Sequence, residues 1–217
     1  MLTPAMLARL YPHAPTAARD ALARAGDALA GAGLLAPGWR TPIFLAQLGH
    51  ESAGLTRTVE DLTYTRAENL MAVWPKRFPT ADAARPFVRN PAALAEKVYG
   101  GRADLGNSEP GDGARYIGRG YLQITGRANY REMGERLGLD LEAQPDRAAE
   151  PDVAVRIACA FWTARRLNEP CDAGDFPAVS RRINGGAVGY DDRLAWLDRA
   201  RACIDWPLPP DCPPLTR

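Results

Sequence analysis

Residues 41–54 read TPIFLAQLGHESAG, and this apolar stretch decides the fold class. It begins with Thr41, a typical N-cap, and ends in glycine, so it is expected to form one helix. Steps of four and three residues put Phe44, Leu48 and Glu51 on the face that points to the core. Burial and the negative end of the helix dipole both disfavour a charged carboxyl there. Glu51 is therefore a candidate proton donor, and a structural glutamate at a helix end is the equal alternative.

The rest of the chain also reads as short helices separated by Pro and Gly. Residues 55–65 differ, because they are rich in β-branched residues and predict a loop or a small hairpin. Residues 100–120 form a long, polar, Gly-rich loop of a kind that is often functional. The predicted fold is mainly α, with a small β or loop lobe at residues 55–65. The other predicted helices start at Thr3, at Thr16 (to Leu29), at Thr65, at Asn90, at Thr125 (to Leu137), at Val153 (to Leu167), at Asp175 and at Tyr190 (to Ile204).

Composition and charge are those of an ordinary globular chain. The 217 residues suffice for one domain with a sizeable core, or for one domain of two lobes. Hydrophobic residues make up 46%, and a net charge of +1 gives no reason to expect nucleic acid or an anionic membrane as a partner. No apolar run has the length of a membrane span, so no membrane insertion is expected. We predict one domain over residues 1–217, with a Pro-rich tail at 205–217 on the surface.

Two features bear on the cellular compartment. The first ten residues lack the basic and apolar regions of a secretory signal, which predicts that the protein is cytoplasmic at synthesis. The cysteines, at positions 159, 171, 203 and 212, do not follow the spacing of a zinc site. Cys159 falls in an apolar helix, where a free thiol packs as a small hydrophobe. We expect reduced thiols, and a bond between Cys203 and Cys212 stays open.

Several mechanisms lack the residues that they need. His50 and Glu51 begin like the helix of a zinc protease, but residue 54 is Gly where the second His is required. With two histidines in the chain, a three-histidine metal site is excluded and a serine triad is not expected. The Gly-rich stretches complete neither a dinucleotide-binding loop nor a P-loop. No metal or other cofactor is predicted.

A pair of carboxylates is the chemistry that remains. Glu60 follows Glu51 beyond the end of the predicted helix, so the chain can turn back and face the two carboxyls across a cleft. One acid in an apolar setting and one in a polar loop differ in proton affinity, as cleavage of a glycosidic bond requires. Taken alone, Glu60 reads more often as a solvated loop residue. Asp61 and Glu68 are nearby substitutes, and Glu68 is also expected to form a capping box with Thr65.

A second cluster of polar side chains surrounds the start of the predicted helix at Thr125. Gln123, Thr125 and Asn129 suit the binding of hydroxyls, amides or a water molecule. Thr125 is also expected to be the N-cap, and one hydroxyl can serve both purposes. Tyr121 and Tyr130 lie in the same stretch, and packing in the core is the simpler interpretation for both.

Three motifs, in their order along the chain, resemble glycoside hydrolase family 19. They are GHESAG at 49–54, GRGYLQITGRANY at 118–130 and INGG at 183–186, which alone reads as a helix stop. The segment QPDRAAEPDVA from Gln144 is similar to the family as well. The resemblance covers about residues 41–200 and implies a bilobal, lysozyme-like α-helical catalytic domain. The family includes plant and bacterial chitinases and phage-type endolysins.

The resemblance also implies roles for individual residues. Glu51 matches the general acid, Glu60 the second glutamate of the endolysin-like branch, and Thr125 the residue that helps to hold the attacking water. It implies inversion at the anomeric carbon, which requires carboxyls roughly 6.5–9.5 Å apart. Positions in the substrate cleft are matched by Gln123, Asn129 and Asn184, and Tyr121 of the same motif is counted with them as a candidate for substrate binding.

One departure from the plant enzymes favours a bacterial substrate. In plant chitinases the second glutamate lies farther downstream in a longer loop, and several disulfides are present; this sequence has neither feature. The resemblance therefore favours a muramidase-like endolysin that cleaves the glycan backbone of peptidoglycan, and we expect a monomer. Such a phage or prophage lysin acts on the cell wall or periplasm after release. A chitinase acting on N-acetylglucosamine polymers is the alternative, and a non-catalytic glycan-binding module is the second alternative.

Overall fold

The computed structural model describes residues 2–186 and 188–216, and most of its regular structure is helical. The isolated β-bridges join Val59 to Arg119, Arg119 to Ile124 and Asp175 to Thr216. The prediction of a mainly α fold is thus confirmed. Among the described helices, none is long and apolar enough to cross a membrane. The helices are α1 Pro4–Leu10, α2 Thr16–Arg24, α3 Gly26–Gly31, α4 Arg40–Glu51, α5 Ala67–Val73, α6 Ala81–Ala84, α7 Pro91–Tyr99, α8 Asp112–Arg115, α9 Arg127–Leu137, α10 Pro151–Ala164, α11 Asn168–Asp172, α12 Phe176–Asn184 and α13 Tyr190–Cys203.

The chain divides into two compact units. Unit 1 comprises Met1–Thr58, Gly120–Gln123 and Arg147–Arg217, and unit 2 comprises Val59–Arg119 and Ile124–Asp146. Unit 2 is larger than the small lobe predicted at residues 55–65, because helices α5 to α9 build it. Of the predicted β or loop segment, residues 55–58 belong to unit 1 and residues 59–65 to unit 2.

Helix α4 lies in the core of unit 1. The ring of Phe44 meets that of Trp162 in α10 edge-on, with 5.2 Å between the centroids. Helix α13 is the main neighbour of α4. A Cβ at Gly49 would lie 2.6 Å from the ring of Trp196, so glycine lets this indole pack directly on the helix backbone. The apolar side chains of α4 without exposed surface are Ile43, Phe44, Leu45, Ala46 and Leu48.

Unit 2 has its own apolar cluster and a network of ion pairs. Asp112 is 2% exposed and pairs with Arg127, which also lies 3.1 Å from a carboxylate oxygen of Glu142. Arg131, and after it Arg127, lower the pKa of Glu142 to about 2. These pairs tie α9 to the Gly-rich stretch 100–120, which thereby has a structural role. The fully or nearly buried members of the cluster include Leu62, Leu70, Phe78, Leu94 and Val98.

The helix caps predicted at Thr41 and Thr65 are wrong. Helix α4 begins one residue before Thr41, and the Thr41 hydroxyl instead donates a hydrogen bond to the carbonyl of Leu34. The capping box at Thr65 is absent, since the N-cap of α5 is Arg66 and makes no side-chain cap hydrogen bond. Glu68 pairs with the Arg66 side chain at 3.4 Å.

The helix predicted from Thr16 to Leu29 is broken at Ala25, so α2 and α3 are separate helices. Helix α10 also ends earlier than predicted, at Ala164. By contrast, α13 has its predicted start at Tyr190, and α9 has its predicted end at Leu137. The break at Ala25 lies next to Gly26, whereas no Pro or Gly lies next to the end of α10 at Ala164.

The described part of the Pro-rich tail contains no helix, and it packs against the rest of unit 1. The Trp39 indole donates a hydrogen bond to the carbonyl of Pro213 at 2.8 Å. The amide of Thr216 donates to the carbonyl of Gly174 at 2.8 Å. A Cβ at Gly174 would lie 2.5 Å from the Pro214 carbonyl oxygen, so the tail can approach closely only because glycine stands there.

All four cysteines are free thiols in this structure. Cys159 and Cys171 are buried, and Cys203 and Cys212 are half-buried. Burial raises the pKa of Cys159 to about 12, which keeps this thiol protonated and unreactive at neutral pH.

Candidate active site

Glu51 is the last residue of α4 and stands at the surface of unit 1. Its side chain is 20% exposed, and its Oε1 accepts a hydrogen bond from Nη2 of Arg193 at 2.6 Å. The predicted helix and the predicted position of Glu51 near its end agree with the structure. The expectation of a carboxyl set only among apolar groups is wrong, because a guanidinium from α13 is paired with it.

Arg193 belongs to a buried chain of polar groups that holds this carboxylate. The guanidinium is 2% exposed, and its Nη1 donates to the side-chain oxygen of Gln47. Gln47 in turn donates to the hydroxyl of Ser180 at 3.3 Å. Because Gln47 and Glu51 are four residues apart on α4, one guanidinium can reach both. The orientation of Glu51 is therefore fixed by α13 as well as by its own helix.

The backbone turn that follows Glu51 is strained. Ala53, Gly54 and Leu55 all have left-handed φ angles, of 49°, 71° and 64°. For Ala53 and Leu55 this conformation costs about 1–2 kcal/mol each. The buried hydroxyl of Ser52 holds the turn, since it donates to the Leu48 carbonyl at 2.6 Å and accepts from the Leu55 amide at 2.8 Å. Burial of the Leu55 side chain, which is 1% exposed, offsets part of this strain.

Replacing Ser52 by alanine is expected to lower the free energy of unfolding by about 1–3 kcal/mol, because the buried amide of Leu55 loses its acceptor. Urea denaturation followed by circular dichroism measures the change. Thr56→Ala is the matched control, since this exposed hydroxyl donates to the Ala53 carbonyl of the same turn. Equal effects of the two substitutions would contradict the proposed role of Ser52.

Glu60 lies in unit 2 and is held at both carboxylate oxygens. Its Oε2 accepts a hydrogen bond from the Tyr99 hydroxyl at 2.8 Å, and its Oε1 accepts one from the amide of Gly118. The Glu60 amide donates to the Gly118 carbonyl at 2.9 Å. Burial, and after it the charge of Glu60, raise the pKa of Tyr99 above its ordinary value. Glu60 is thus a positioned residue and not merely a solvated one, and Tyr99 is a partner that the sequence did not indicate.

The segment that carries Gly118 is itself anchored by a buried arginine. Arg119 is 8% exposed and donates to the Tyr130 hydroxyl at 2.9 Å and to a carboxylate oxygen of Asp146 at 2.7 Å. The Tyr130 hydroxyl in turn donates a hydrogen bond to the Ile117 carbonyl at 2.7 Å, which holds the backbone next to Gly118. Burial raises the pKa of Tyr130 to about 12, against the opposing effect of Arg119. The packing role predicted for Tyr130 therefore agrees with its place in the structure.

Thr125 and Asn129 lie in unit 2, next to the start of α9. The N-cap of α9 is Gly126, and the amide of Arg127 donates to the side-chain oxygen of Asn107 at 2.8 Å. Thr125 is therefore not the N-cap, and Asn107 from the Gly-rich stretch provides the acceptor for the first amide of the helix. The Asn129 amide group donates to the Thr125 carbonyl at 2.6 Å, which fixes the backbone at the half-buried Thr125.

Gln123 and Tyr121 belong to a turn of unit 1 and have different surroundings. Gln123 is half-buried, has a left-handed φ of 50° and donates from its side chain to the Gly120 carbonyl at 3.1 Å. Tyr121 has no exposed surface, and burial raises its pKa to about 12. A side chain without exposed surface cannot touch a ligand, so Tyr121 is corrected from substrate binding to packing.

Asn184 ends α12 in unit 1 and closes a turn. Its side-chain amide donates to the Val188 carbonyl at 3.1 Å, and its side-chain oxygen accepts from the Gly186 amide at 2.9 Å. Gly189, after this turn, packs against His50, whose ring a Cβ would approach to 2.4 Å. Nδ1 of His50 lies 2.6 Å from a carboxylate oxygen of Asp192. The Asn184 turn thus leads to a contact with the residue next to Glu51.

The candidate residues consequently form two groups. Glu51, Gln123 and Asn184 belong to unit 1, and Glu60, Thr125 and Asn129 belong to unit 2. Arg193 and Tyr99 were missed. For Arg193, the available sequence signal was Gln47, an amide inside an apolar helix that needs a buried hydrogen-bond partner. Over residues 2–186 and 188–216, no group of His, Cys, Asp and Glu side chains could hold a metal ion.

Relatives of known sequence are glycoside hydrolases. The family model described as chitinase class I matches residues 17–176. A Haemophilus influenzae protein described as containing a glycosyl hydrolase family 19 domain is 39% identical over 151 residues, which are 70% of this chain and 73% of that protein. An Arabidopsis thaliana endochitinase is 44% identical over 95 residues. That match covers 43% of this chain and 33% of the plant protein.

Solved structures show the same fold. Chitinase C from Streptomyces griseus has a TM-score of 0.65 at 20% identity, over 97% of this chain and 79% of that chain. A class IV chitinase from Zea mays has a TM-score of 0.60 at 18% identity, over 98% of this chain and 96% of that chain. The lysozyme-like, α-rich fold is confirmed by these similarities.

Proposed function

Because the chain belongs to glycoside hydrolase family 19, we propose that it hydrolyses the glycan backbone of bacterial peptidoglycan. The observation that carries this proposal is Glu60. It follows Glu51 by nine residues, as in the endolysin-like branch that the sequence resembles, and Tyr99 and Gly118 hold its carboxylate. A carboxylate fixed in this way suits a catalytic base and has no purpose in a glycan-binding module.

In the proposed reaction Glu51 is the acid and Glu60 is the base. Glu51 transfers its proton to the glycosidic oxygen while the bond from that oxygen to the anomeric carbon breaks. Glu60 takes a proton from a water molecule, whose oxygen forms the new bond on the opposite face of the sugar. Thr125 helps to orient this water. Inversion at the anomeric carbon is the expected stereochemical outcome.

The polar partners of the two glutamates support these roles. Proton transfer leaves a negative carboxylate at Glu51, and the buried guanidinium of Arg193 stabilises that charge. At Glu60, each carboxylate oxygen accepts one hydrogen bond from the protein. A carboxylate oxygen has a second lone pair, so each can still accept a proton from water. Gln123, Asn129 and Asn184 are the proposed contacts to the sugar hydroxyls and acetamido groups.

A chitinase is the second candidate. It is favoured by the relatives described as endochitinases and chitinases, and it uses the same acid and base on N-acetylglucosamine polymers. The two candidates differ only in the sugars that they accept on either side of the cleaved bond.

Incubation with purified peptidoglycan and, separately, with chitin oligomers distinguishes the candidates. Mass spectrometry of the new reducing ends is expected to show N-acetylmuramic acid in the fragments released from peptidoglycan. Cleaved chitin oligomers beside intact peptidoglycan would refute the muramidase proposal and establish the chitinase. Absence of new reducing ends from both polymers would leave only a binding module.

Replacing Glu60 by alanine is expected to lower the hydrolysis rate by about a hundredfold to ten-thousandfold, because the water loses its base. Sodium azide is expected to restore turnover of this variant, since azide attacks the anomeric carbon without deprotonation. The rate of reducing-end formation and detection of the glycosyl azide measure both effects. Glu135→Ala, an exposed position in unit 2, is the control and should keep the parent rate. An undiminished rate in Glu60→Ala would exclude Glu60 as the base.

A further inference from the structure

A small cavity of unit 1 lies where the Pro-rich tail passes the first turn of α4. Its volume is about 140 Å³, roughly the space of five water molecules. This is enough for one face of a single sugar ring and not for an extended chain. Of its lining residues, Pro42 and Ile204 are buried, while Asp205 and Leu208 are exposed. The full lining is Pro42, Arg201, Ile204, Asp205, Trp206 and Leu208.

The walls of this tail cavity are held in place by the protein. The Trp206 indole donates a hydrogen bond to the Ala36 carbonyl at 3.3 Å. The amide of Gly38 donates to the carbonyl of Pro207 at 2.9 Å, which fixes the tail beside Trp206. The guanidinium of Arg201 lies over the ring of Trp39 at 5.0 Å from its centroid. The cavity therefore exists before any ligand arrives, and binding would require little reordering of its side chains.

The chemistry of the lining matches an N-acetylated sugar. An indole is apolar on its face, and so are the C–H groups on one side of a pyranose ring. The carboxylate of Asp205 can accept hydrogen bonds from sugar hydroxyls, and the guanidinium of Arg201 can donate to sugar oxygens. Leu208, an apolar side chain that is 37% exposed, offers a contact for the methyl group of an acetamido substituent. Polar groups provide most of the accessible surface of the cavity, which suits a ligand with many hydroxyls.

We propose that the tail cavity is a secondary glycan-binding site that takes one N-acetylhexosamine unit of the polymer. The nature of the ligand rests on the proposed function. Pro42 and Glu51 are nine residues apart on α4, which corresponds to about 14 Å along the helix. A sugar in the cavity is thus too far from Glu51 to be cleaved. Its effect would be to retain the polymer on unit 1 and raise its local concentration.

Nuclear magnetic resonance tests binding directly. The indole N–H signal that disappears in Trp206→Phe identifies Trp206 in the spectrum of the parent protein. Titration of the parent with N-acetylglucosamine is expected to move this signal in a saturable way, and Leu208→Ala should weaken the response at least threefold. An unmoved Trp206 signal at tens of millimolar sugar would refute the site.

Retention on insoluble polymer tests its use. The double substitution of Asp205 and Leu208 by alanine changes exposed side chains, so the fold should persist, as thermal melting will verify. We expect at least fivefold weaker retention on insoluble peptidoglycan or chitin, with the rate on soluble chitin oligomers or soluble peptidoglycan fragments kept within twofold. Val73→Ala, an apolar position of unit 2 that is 51% exposed, is the control and should be retained like the parent. Unchanged retention of the double variant would overturn the proposal.

These measurements separate the secondary site from the proposed function. If the Trp206 signal of the parent protein responds to the sugar but no reducing ends form, the secondary site is supported and the proposed hydrolysis is refuted. A parent that hydrolyses the polymer while its Trp206 signal is unmoved keeps the hydrolysis and loses the site.

Discussion

Replacing Glu51 by glutamine is expected to lower the rate of glycan hydrolysis by about a thousandfold, within the range typical of a lost general acid. The glutamine side chain has nearly the same shape, and its carbonyl oxygen can still accept a hydrogen bond from Arg193. It has no acidic proton, so the leaving oxygen must depart without protonation. Initial rates of reducing-end formation measure the loss, and circular dichroism verifies the fold.

Glu150→Gln is the matched control for this substitution. Glu150 precedes another helix of unit 1, α10, and its side chain is 57% exposed and only loosely paired with Arg147. The control should hydrolyse the glycan at the parent rate. A Glu51→Gln protein with more than a tenth of the parent rate would exclude Glu51 as the proton donor.

The part of the site that could be predicted is the part encoded locally. Helix α4 follows from its apolar periodicity, and the place of Glu51 near its end follows from the glycine beyond it. The segment with Gln123, Thr125 and Asn129 was found because its polar residues lie close together in sequence. Glu60 could be found only as a candidate, since nothing next to it in sequence indicates Tyr99 or Gly118 as partners.

The part that could not be predicted depends on contacts between distant residues. Arg193 is 142 positions from Glu51 and reads as one of several arginines on an amphipathic helix. The first amide of α9 donates to Asn107, which lies 20 positions from Arg127, so the capping role predicted for Thr125 is not observed. Periodicity also cannot reveal that residue 49 must be glycine for the indole of Trp196 to pack on the backbone of α4. Each of these features follows only from how α4, α9 and α13 meet their neighbours.

Loss of the contact between Arg193 and Glu51 is expected to have the largest effect on stability. Replacing Arg193 by methionine should lower the free energy of unfolding by about 3–5 kcal/mol. The substitution leaves the carboxylate of Glu51 without its cation, and it leaves the buried oxygen of Gln47 without a donor. Urea denaturation at neutral pH, followed by circular dichroism, measures this loss. The rate of hydrolysis should fall as well, because the carboxylate formed at Glu51 is no longer stabilised.

A double-mutant cycle separates the ion pair from packing. In the variant that combines Arg193→Met with Glu51→Gln, no unpaired charge remains at the end of α4. It should therefore be more stable than the sum of the two single losses predicts, by about 1–3 kcal/mol. Arg199→Met on the same helix is the control, because this arginine is exposed and lies over the Trp196 ring at 5.4 Å, so it should change stability by less than about 1 kcal/mol. Strict additivity in the cycle would show that Arg193 and the charge of Glu51 are not coupled, and Glu51 would then lack the charged partner that prepares it for proton transfer.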